Sequence, residues 1–391
     1  MLQLIQLFKE QGWQVAFGTV SQKNPNSIDL TKLGVKEVSL ELNNTSFDDF
    51  IKELNPTIVL FDRFIMEEQF GWRVAEHCPD ALRILDTEDL HCLRKTRQEA
   101  LKKEIEFSNE LLLNSEIAKR EMASIYRSDL SLIISTYEMS LLKTIFQVDD
   151  RFIMHLPFFL EQIDSQKQND WKSFEERNNF VSIGNFLHAP NVDATLHLKN
   201  VLWPLIKKQI PQAELHIYGA YPIQQVLEFN NPKEGFYVHG YAEDANTVIG
   251  ASKVLLAPLR FGAGIKGKLT DAMVNGTPSM TTSIGAEGMH GELPWSGCIE
   301  DVAEEFVEKT VSLYTDKETW LKAQKNGVEI VNQRYNKEKI SKDFLTCIEK
   351  LSSDLKEHRT QNFIGRVLSH HSMQSTKYLS KWIEEKNKGN S

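Results

Sequence analysis

Cysteine is scarce: Cys78, Cys92, Cys298 and Cys347 are scattered through 391 residues, with no C-x-x-C pair. That spacing excludes a disulfide scaffold and the common zinc motifs, and it fits a reducing compartment. Long apolar runs are missing too, since none approaches the roughly 18 residues that a helix needs to cross a bilayer. The opening stretch, Met1 to Glu10, lacks the charged region and small-residue cleavage site of a signal peptide. A cytoplasmic location is therefore expected. Positive charge is not in excess either: the net charge is −9. Nucleic-acid binding is excluded on that ground, because such proteins need a basic face to neutralise phosphates. Repeats and low-complexity tracts are absent.

What remains is a soluble-looking composition, 41% hydrophobic and 25% charged, in a chain long enough for two domains of about 150–200 residues each. Residues 2–11 read as an amphipathic helix with Leu4, Leu7 and Phe8 on one face. Short apolar runs follow at 15–20, 57–61, 82–85 and 130–134, with Asp62, Asp86 and Ser135 at the ends of the last three. Continuous runs of this length suit parallel strands buried on both faces, joined by helices. The C-terminal ends of such strands are where doubly wound folds bind ligands. A fold of this type opens with a strand and a glycine-rich turn, so the first strand is expected to be lacking here.

Residues 161–179 are polar and read as a linker with an exposed helix. A second strand series runs through 180–184, 214–218, 236–239, 253–259 and 277–282, which predicts a second doubly wound domain. The stretch 304–390 is helical. Its last part, 363–388, offers Phe363, Val367, Tyr378, Leu379, Trp382 and Ile383 as packing groups. Residues 355–391 carry seven Lys/Arg against three Glu, a local net charge of +4. Such a tail is a candidate for weak peripheral contact with anionic headgroups, though surface charge of this kind is more often merely solvated. The adjacent His370 and His371 point to different helix faces, which argues against a shared metal.

The sharpest local feature is the segment from Pro258 to Met273. A buried strand ends at Leu259, Gly262, Gly264 and Gly267 turn the chain, and a helix starts near Lys266. Backbone N–H groups at a helix start, with Lys266 and Lys268 beside them, form an anion site suited to a phosphate. Two other motifs overlap it. Gly262-x-Gly264-x-x-Gly267 spells the dinucleotide fingerprint, with Glu287 at ribose distance, but it follows the fourth strand of its domain instead of the first. The Walker A pattern fails, because Leu269 stands where a magnesium-binding Ser or Thr is needed.

Five segments in order resemble one family. Residues 181–193 (Val181-Ser182-Ile183-Gly184-Asn185 to Asp193), Leu215-His216-Ile217-Tyr218-Gly219-Ala220, Val238-His239-Gly240-Tyr241, the 258–273 turn and Thr281 to Met289 look like the donor domain of GT-B glycosyltransferases, family 4. The resemblance is good over about 180–345 and looser over 1–160. It implies an α/β fold of two Rossmann-like doubly wound domains facing a central cleft, with the C-terminal helix crossing back to the first domain. The implied division is 1–160 for the acceptor side, 161–179 for the linker, 180–355 for the donor domain and 356–391 for a tail packed on the first domain.

The same resemblance implies a transfer that retains anomeric configuration, with a nucleotide-diphosphate sugar as donor, a saccharide or lipid-linked acceptor, and no cofactor or obligatory metal. The donor set it marks is Asn185, His188, Gly219, Arg260, Gly262, Gly264, Ile265, Lys266, Lys268 and Asp271. The family's Glu-x7-Glu motif falls on Ala263 and Asp271, and its usual Arg and Lys of the first loop fall near Asn185 and Asn191, both uncharged. In the first half, Asp86-Thr87-Glu88-Asp89-Leu90-His91 resembles the segment whose histidine faces the reacting sugar. His91 is the catalytic candidate, with Asp89 or Asp86 to orient it or take a proton. The same residues also suit a plain helix start, with Asp86 or Thr87 as N-cap. Ser135 and Glu138, after the next strand, are candidates to line the cleft, Glu138 being equally suited to an exposed helix face. Two other readings stay open: a non-catalytic GT-B relic that still binds nucleotide sugar, and an NAD-linked oxidoreductase resting on the glycine pattern alone.

Overall fold

The computed structural model describes residues 1–23 and 27–388, with side chains given except at 371–373 and 387–388. His371 therefore lies outside the described side chains. Twelve strands are described: β1 (Ala16–Thr19), β2 (Lys36–Ser39), β3 (Ile58–Asp62), β4 (Leu82–Asp86), β5 (Leu130–Ile133), β6 (Ile153–His155), β7 (Asn178–Ile183), β8 (Leu215–Tyr218), β9 (Phe236–Gly240), β10 (Ser252–Ala257), β11 (Ser279–Thr281) and β12 (Gly297–Ile299). Every pairing between them is parallel. Parallel neighbours need crossover helices, and these cover both faces of the sheets.

The second domain has strand order β12-β11-β10-β7-β8-β9, the doubly wound arrangement in which the direction of winding reverses between β7 and β10. Apolar residues alternate between its two faces. Phe180, Leu215, Ile217, Phe236 and Val254 pack with Trp203 and Trp320 on one side, while Val181, Leu255, Ala257, Leu269 and Met273 pack on the other.

The first domain repeats the pattern in two pieces, β3-β4-β5-β6 and a separate β1-β2 pair. Among the described residues β1 and β3 are not hydrogen-bonded to each other, and helix Leu2–Glu10 precedes β1. The helix tucks Leu4 and Leu7 against Leu82, Ile84 and Leu130.

Four strands of the first half and five of the second lie where the apolar runs predict them. β2, β6 and β12 lie outside the apolar runs and were not expected. The chain crosses back to the first domain already in helix Lys337–Ser353, ahead of residue 356. Its Phe344 and Ile348 enter the Leu4–Leu82–Leu130 cluster, each burial contributing about 1.5–3 kcal/mol. Arg359 then fastens the next helix, donating to Asp129 at 2.7 Å and to Ala81 O at 2.7 Å. The final helix, Phe363–Lys388, packs on helices Arg63–His77 and Glu116–Arg127. One expectation is corrected here. Phe363, Val367, Tyr378, Leu379 and Trp382 do not dock the helix but are all exposed, and the polar Ser380 and Glu384 are the buried ones.

Candidate active site in the interdomain cleft

Three loops at strand C-termini converge. From the first domain comes residues 87–90, after β4; from the second come 184–188, after β7, and 258–266, after β10. The latter two flank the point where the second sheet reverses its winding, the expected ligand crevice.

Helix His91–Lys102 starts without a side-chain cap of its own. Thr87 is not an N-cap; its hydroxyl is buried and donates to Leu132 O at 2.8 Å. The helix start is satisfied from afar. Glu121 accepts the N–H groups of His91 and Cys92 at 2.8 and 2.6 Å, and Glu138 accepts that of Leu90 at 2.9 Å. His91 is thereby fixed, its ring edge-on to Phe64 and its Nε2 3.4 Å from Asp89 Oδ1. Burial pushes its pKa down to about 4, so the imidazole is neutral at physiological pH. Asp89 is held by Arg94 through two bonds of 2.7 and 3.2 Å.

The glycine turn sits directly on this segment. Gly264 has φ +63°, and a Cβ there would lie 3.0 Å from Asp89 Cβ and 3.3 Å from Glu88 O. A side chain at this position would pry the domains apart. The Gly264 N–H donates to Glu138 at 2.8 Å, so one amide expected to serve an external anion is already taken by a carboxylate of the chain. Glu138 is fully buried, not an exposed helix residue, and burial raises its pKa well above the usual carboxylate range. Lys266 is buried as well, with Nζ on Gly264 O at 2.7 Å, and burial lowers its pKa. It faces Glu138 and Glu287 inside the interface. Gly262 O accepts from Arg97 at 3.0 Å, and Arg97 grips Glu287 with two bonds of 2.8 and 2.7 Å. Glu287 is therefore spent on an interdomain ion pair, which removes the ribose carboxylate that the NAD reading needs. Ala263 packs against the apolar cluster of the first domain, and Ile265 against that of the second.

Lys268 behaves differently. Its Nζ donates to Asn191 Oδ1 at 2.7 Å, and Asn191 Nδ2 donates to Asn185 O at 2.8 Å. Asn185 Oδ1 in turn accepts the Leu187 N–H at 2.9 Å. The ammonium passes so close to Gly184 that a Cβ there would meet it at 2.7 Å. Burial pushes Lys268 down to about 8. Gly219, just after β8, backs this loop so closely that a Cβ there would meet Gly184 O at 2.0 Å, while its N–H donates to Gly240 O at 2.7 Å. His188 begins helix Ala189–His197; burial first, then Arg94 across the cleft, lowers its pKa. Arg260 is turned aside, paired to Asp193 at 2.9 Å and largely exposed.

Asp86 and Asp271 face a cavity of about 300 Å³ that Met1, Phe158 and Phe159 also line. Burial pushes Asp86 up to about 7 and Asp271 up to about 6. The sequence-predicted residues thus fall into three groups. Asp89, Gly262, Gly264, Ile265 and Lys266 lie at the domain contact with His91 beside them, Asn185, His188, Gly219 and Lys268 line the second-domain loop, and Asp86 and Asp271 share the cavity. Arg260 joins none of them. Arg94, Arg97 and Glu121 were not expected as organisers of the site, whereas Glu138 was a candidate to line the cleft. Their partners in these contacts lie between five and 190 residues away, and no local motif marks them.

Residues 177–316 match the family described as glycosyl transferases group 1. No curated protein matches the chain in sequence. Among solved structures, sucrose-phosphate synthase from Thermosynechococcus elongatus is similar with a TM-score of 0.67 at 16% identity, over 90% of this chain and 92% of that one. The Anabaena protein HepE in complex with UDP and glucose gives 0.64 at 11% identity, over 90% of this chain and 95% of that one. S. aureus TarM, a variant in complex with fondaparinux, alpha-GlcNAc-glycerol and UDP, gives 0.59 at 14% identity over 77% of this chain; the match spans only 57% of the TarM chain. The chain has the GT-B fold, and residues 177–316 of its second domain are similar to the glycosyl transferases of group 1.

Proposed function

We propose that the chain transfers a sugar from a nucleoside-diphosphate sugar to a saccharide or lipid-linked acceptor, retaining the anomeric configuration and using no metal. The observation that carries this is the placement of Lys268. It stands at the reversal point of the second sheet, beside the loop that begins at Gly184. A diphosphate there meets the ammonium and the N–H groups that the start of helix Gly267–Val274 leaves without intrahelical acceptors. Fixed donors of this kind also stabilise the charge that develops on a departing nucleoside diphosphate. HepE and TarM, similar in fold, were each crystallised with UDP.

In this reading Asp271 takes the donor ribose, and neutral His91 contacts the sugar with Asp89 orienting it. Asp86, in the adjoining cavity, is the carboxylate able to accept a proton. Acceptors enter from the side of the first domain. A second reading, a nucleotide-sugar binder without turnover, is favoured by Ala263, which offers no carboxylate to the sugar, and by the occupied Gly264 amide.

Calorimetry with UDP and GDP, followed by nucleotide release from a panel of UDP- and GDP-sugars, decides between them. Binding with release supports transfer, and binding without release supports the second reading. Absence of both bindings removes the donor-site assignment.

A further inference from the structure

Helix Phe363–Lys388 is docked by its polar face. Arg73 donates to Ser380 at 3.2 Å and pairs with Glu384, and Lys377 pairs with Glu76. Near the helix start Gly365 lies so close to the first domain that a Cβ would meet Tyr126 O at 2.1 Å. Among the described side chains the opposite face carries exposed apolar groups towards both ends of the helix, with Gln374 and Ser375 between them. Phe363, Val367, Tyr378 and Trp382 follow one another at intervals of four, eleven and four residues, which places them on one side of a helix. Ile364 and Leu379 flank them, and exposures of the six run from 41 to 70%. A single exposed leucine is ordinary, but a stripe of large apolar groups marks an interaction surface.

The charge says what covers it. Lys381 and Lys386 are exposed along the same helix, Lys386 lying over the Trp382 ring at 5.3 Å. Glu385, also exposed, is the carboxylate beside them. Residues 355–391 carry +4 in a chain of −9; of these cations Arg359 and Lys377 are spent on Asp129 and Glu76 of the first domain, which leaves Lys381 and Lys386 for the outer side. Two copies meeting through this face would bring like charges together across a two-fold axis. We infer that the apolar face of this helix lies on an anionic lipid surface. Trp382, Tyr378 and Phe363 enter the boundary between headgroups and acyl chains, and Lys381 and Lys386 meet the headgroups. This assignment stands independently of the proposed sugar transfer, since it rests on a face remote in sequence from the donor loops.

The test is flotation of the full chain with phosphatidylcholine vesicles, with and without about one third phosphatidylglycerol. Binding to the anionic vesicles alone, weakening as salt rises, is expected. A Tyr378→Ser/Trp382→Ser variant loses on the order of tenfold in partitioning, and Lys381→Gln and Lys386→Gln lose about fivefold each. Phe363→Ser repeats the test at the far end of the face. These exposed positions leave the melting temperature unchanged. The inference is overturned if anionic vesicles capture no more chain than neutral ones, if the variants bind like the parent, or if sedimentation shows a dimer that Trp382→Ser abolishes.

Discussion

Glu138 reaches from the first domain to accept the Gly264 N–H of the second at 2.8 Å, and the same oxygen takes the Leu90 N–H at 2.9 Å. One buried carboxylate thus joins the glycine turn to the segment that ends at His91. Glu138→Ala leaves both buried N–H groups without an acceptor, and stability should fall by about 2–4 kcal/mol. Glu138→Gln keeps an acceptor oxygen and should lose less than half as much. Urea unfolding of the two variants measures the difference, and equal stability of both with the parent would remove the bridge from the account.

Gly184 and Lys268 form the second test. A Cβ at Gly184 would stand 2.6 Å from Asn191 Cγ and 2.7 Å from Lys268 Nζ. Gly184→Ala should displace the ammonium and weaken UDP or GDP binding roughly as much as Lys268→Ala does, on the order of tenfold or more. The double variant should be little worse than either single one, because both remove the same contact. Calorimetric affinities that simply add would show the two residues acting separately.

The pH dependence of that binding has a defined sign. Burial lowers Lys268 to about 8, so below that pH the ammonium is charged and available to a diphosphate. Above it, binding must take up a proton, and affinity should fall by at most about tenfold per pH unit. Lys268→Arg, which stays charged, should flatten the curve between about pH 7.5 and 9.5. A parent curve that is already flat there would exclude Lys268 as the diphosphate's cation.

His91→Ala should reduce turnover about a hundredfold while nucleotide affinity changes little. Because burial holds His91 near 4, no limb of the rate profile near pH 6.5 belongs to it. Asp86, raised to about 7 by burial and then by Glu88, should give a rising limb as its carboxylate ionises. Asp86→Asn should erase that limb. Equal losses of binding and turnover in His91→Ala would reduce His91 to a structural residue.

Much of this architecture is written locally. Residues 58–61 and 254–257 are apolar without interruption, as strands covered on both faces must be, and the glycines at 262, 264 and 267 mark a turn in which Gly264, at φ +63°, is the position that nothing bulkier fits. The wiring of the site is not local. Glu138 finds Gly264 across 126 positions, and Glu121 finds Cys92 across 29. A carboxylate in a helix reads as solvated until its neighbours are known. The last helix misleads for a related reason: amphipathic spacing fixes two faces but not which of them the protein keeps for itself. Lys266 and Lys268 also look equivalent in sequence, yet two positions along a helix start turn one into the interface and the other toward the donor loop.

The split of the first sheet has a consequence for how the molecule breathes. β1 and β2 pair with each other and not with β3, and a two-stranded ribbon has little stability of its own. The unit made by helix Leu2–Glu10 and this ribbon should come loose before the rest, exchanging its amide protons well ahead of β4 and β5. Since Met1 and Phe159 wall the same cavity as Asp86, each such loosening opens a side door to the carboxylate without parting the two domains.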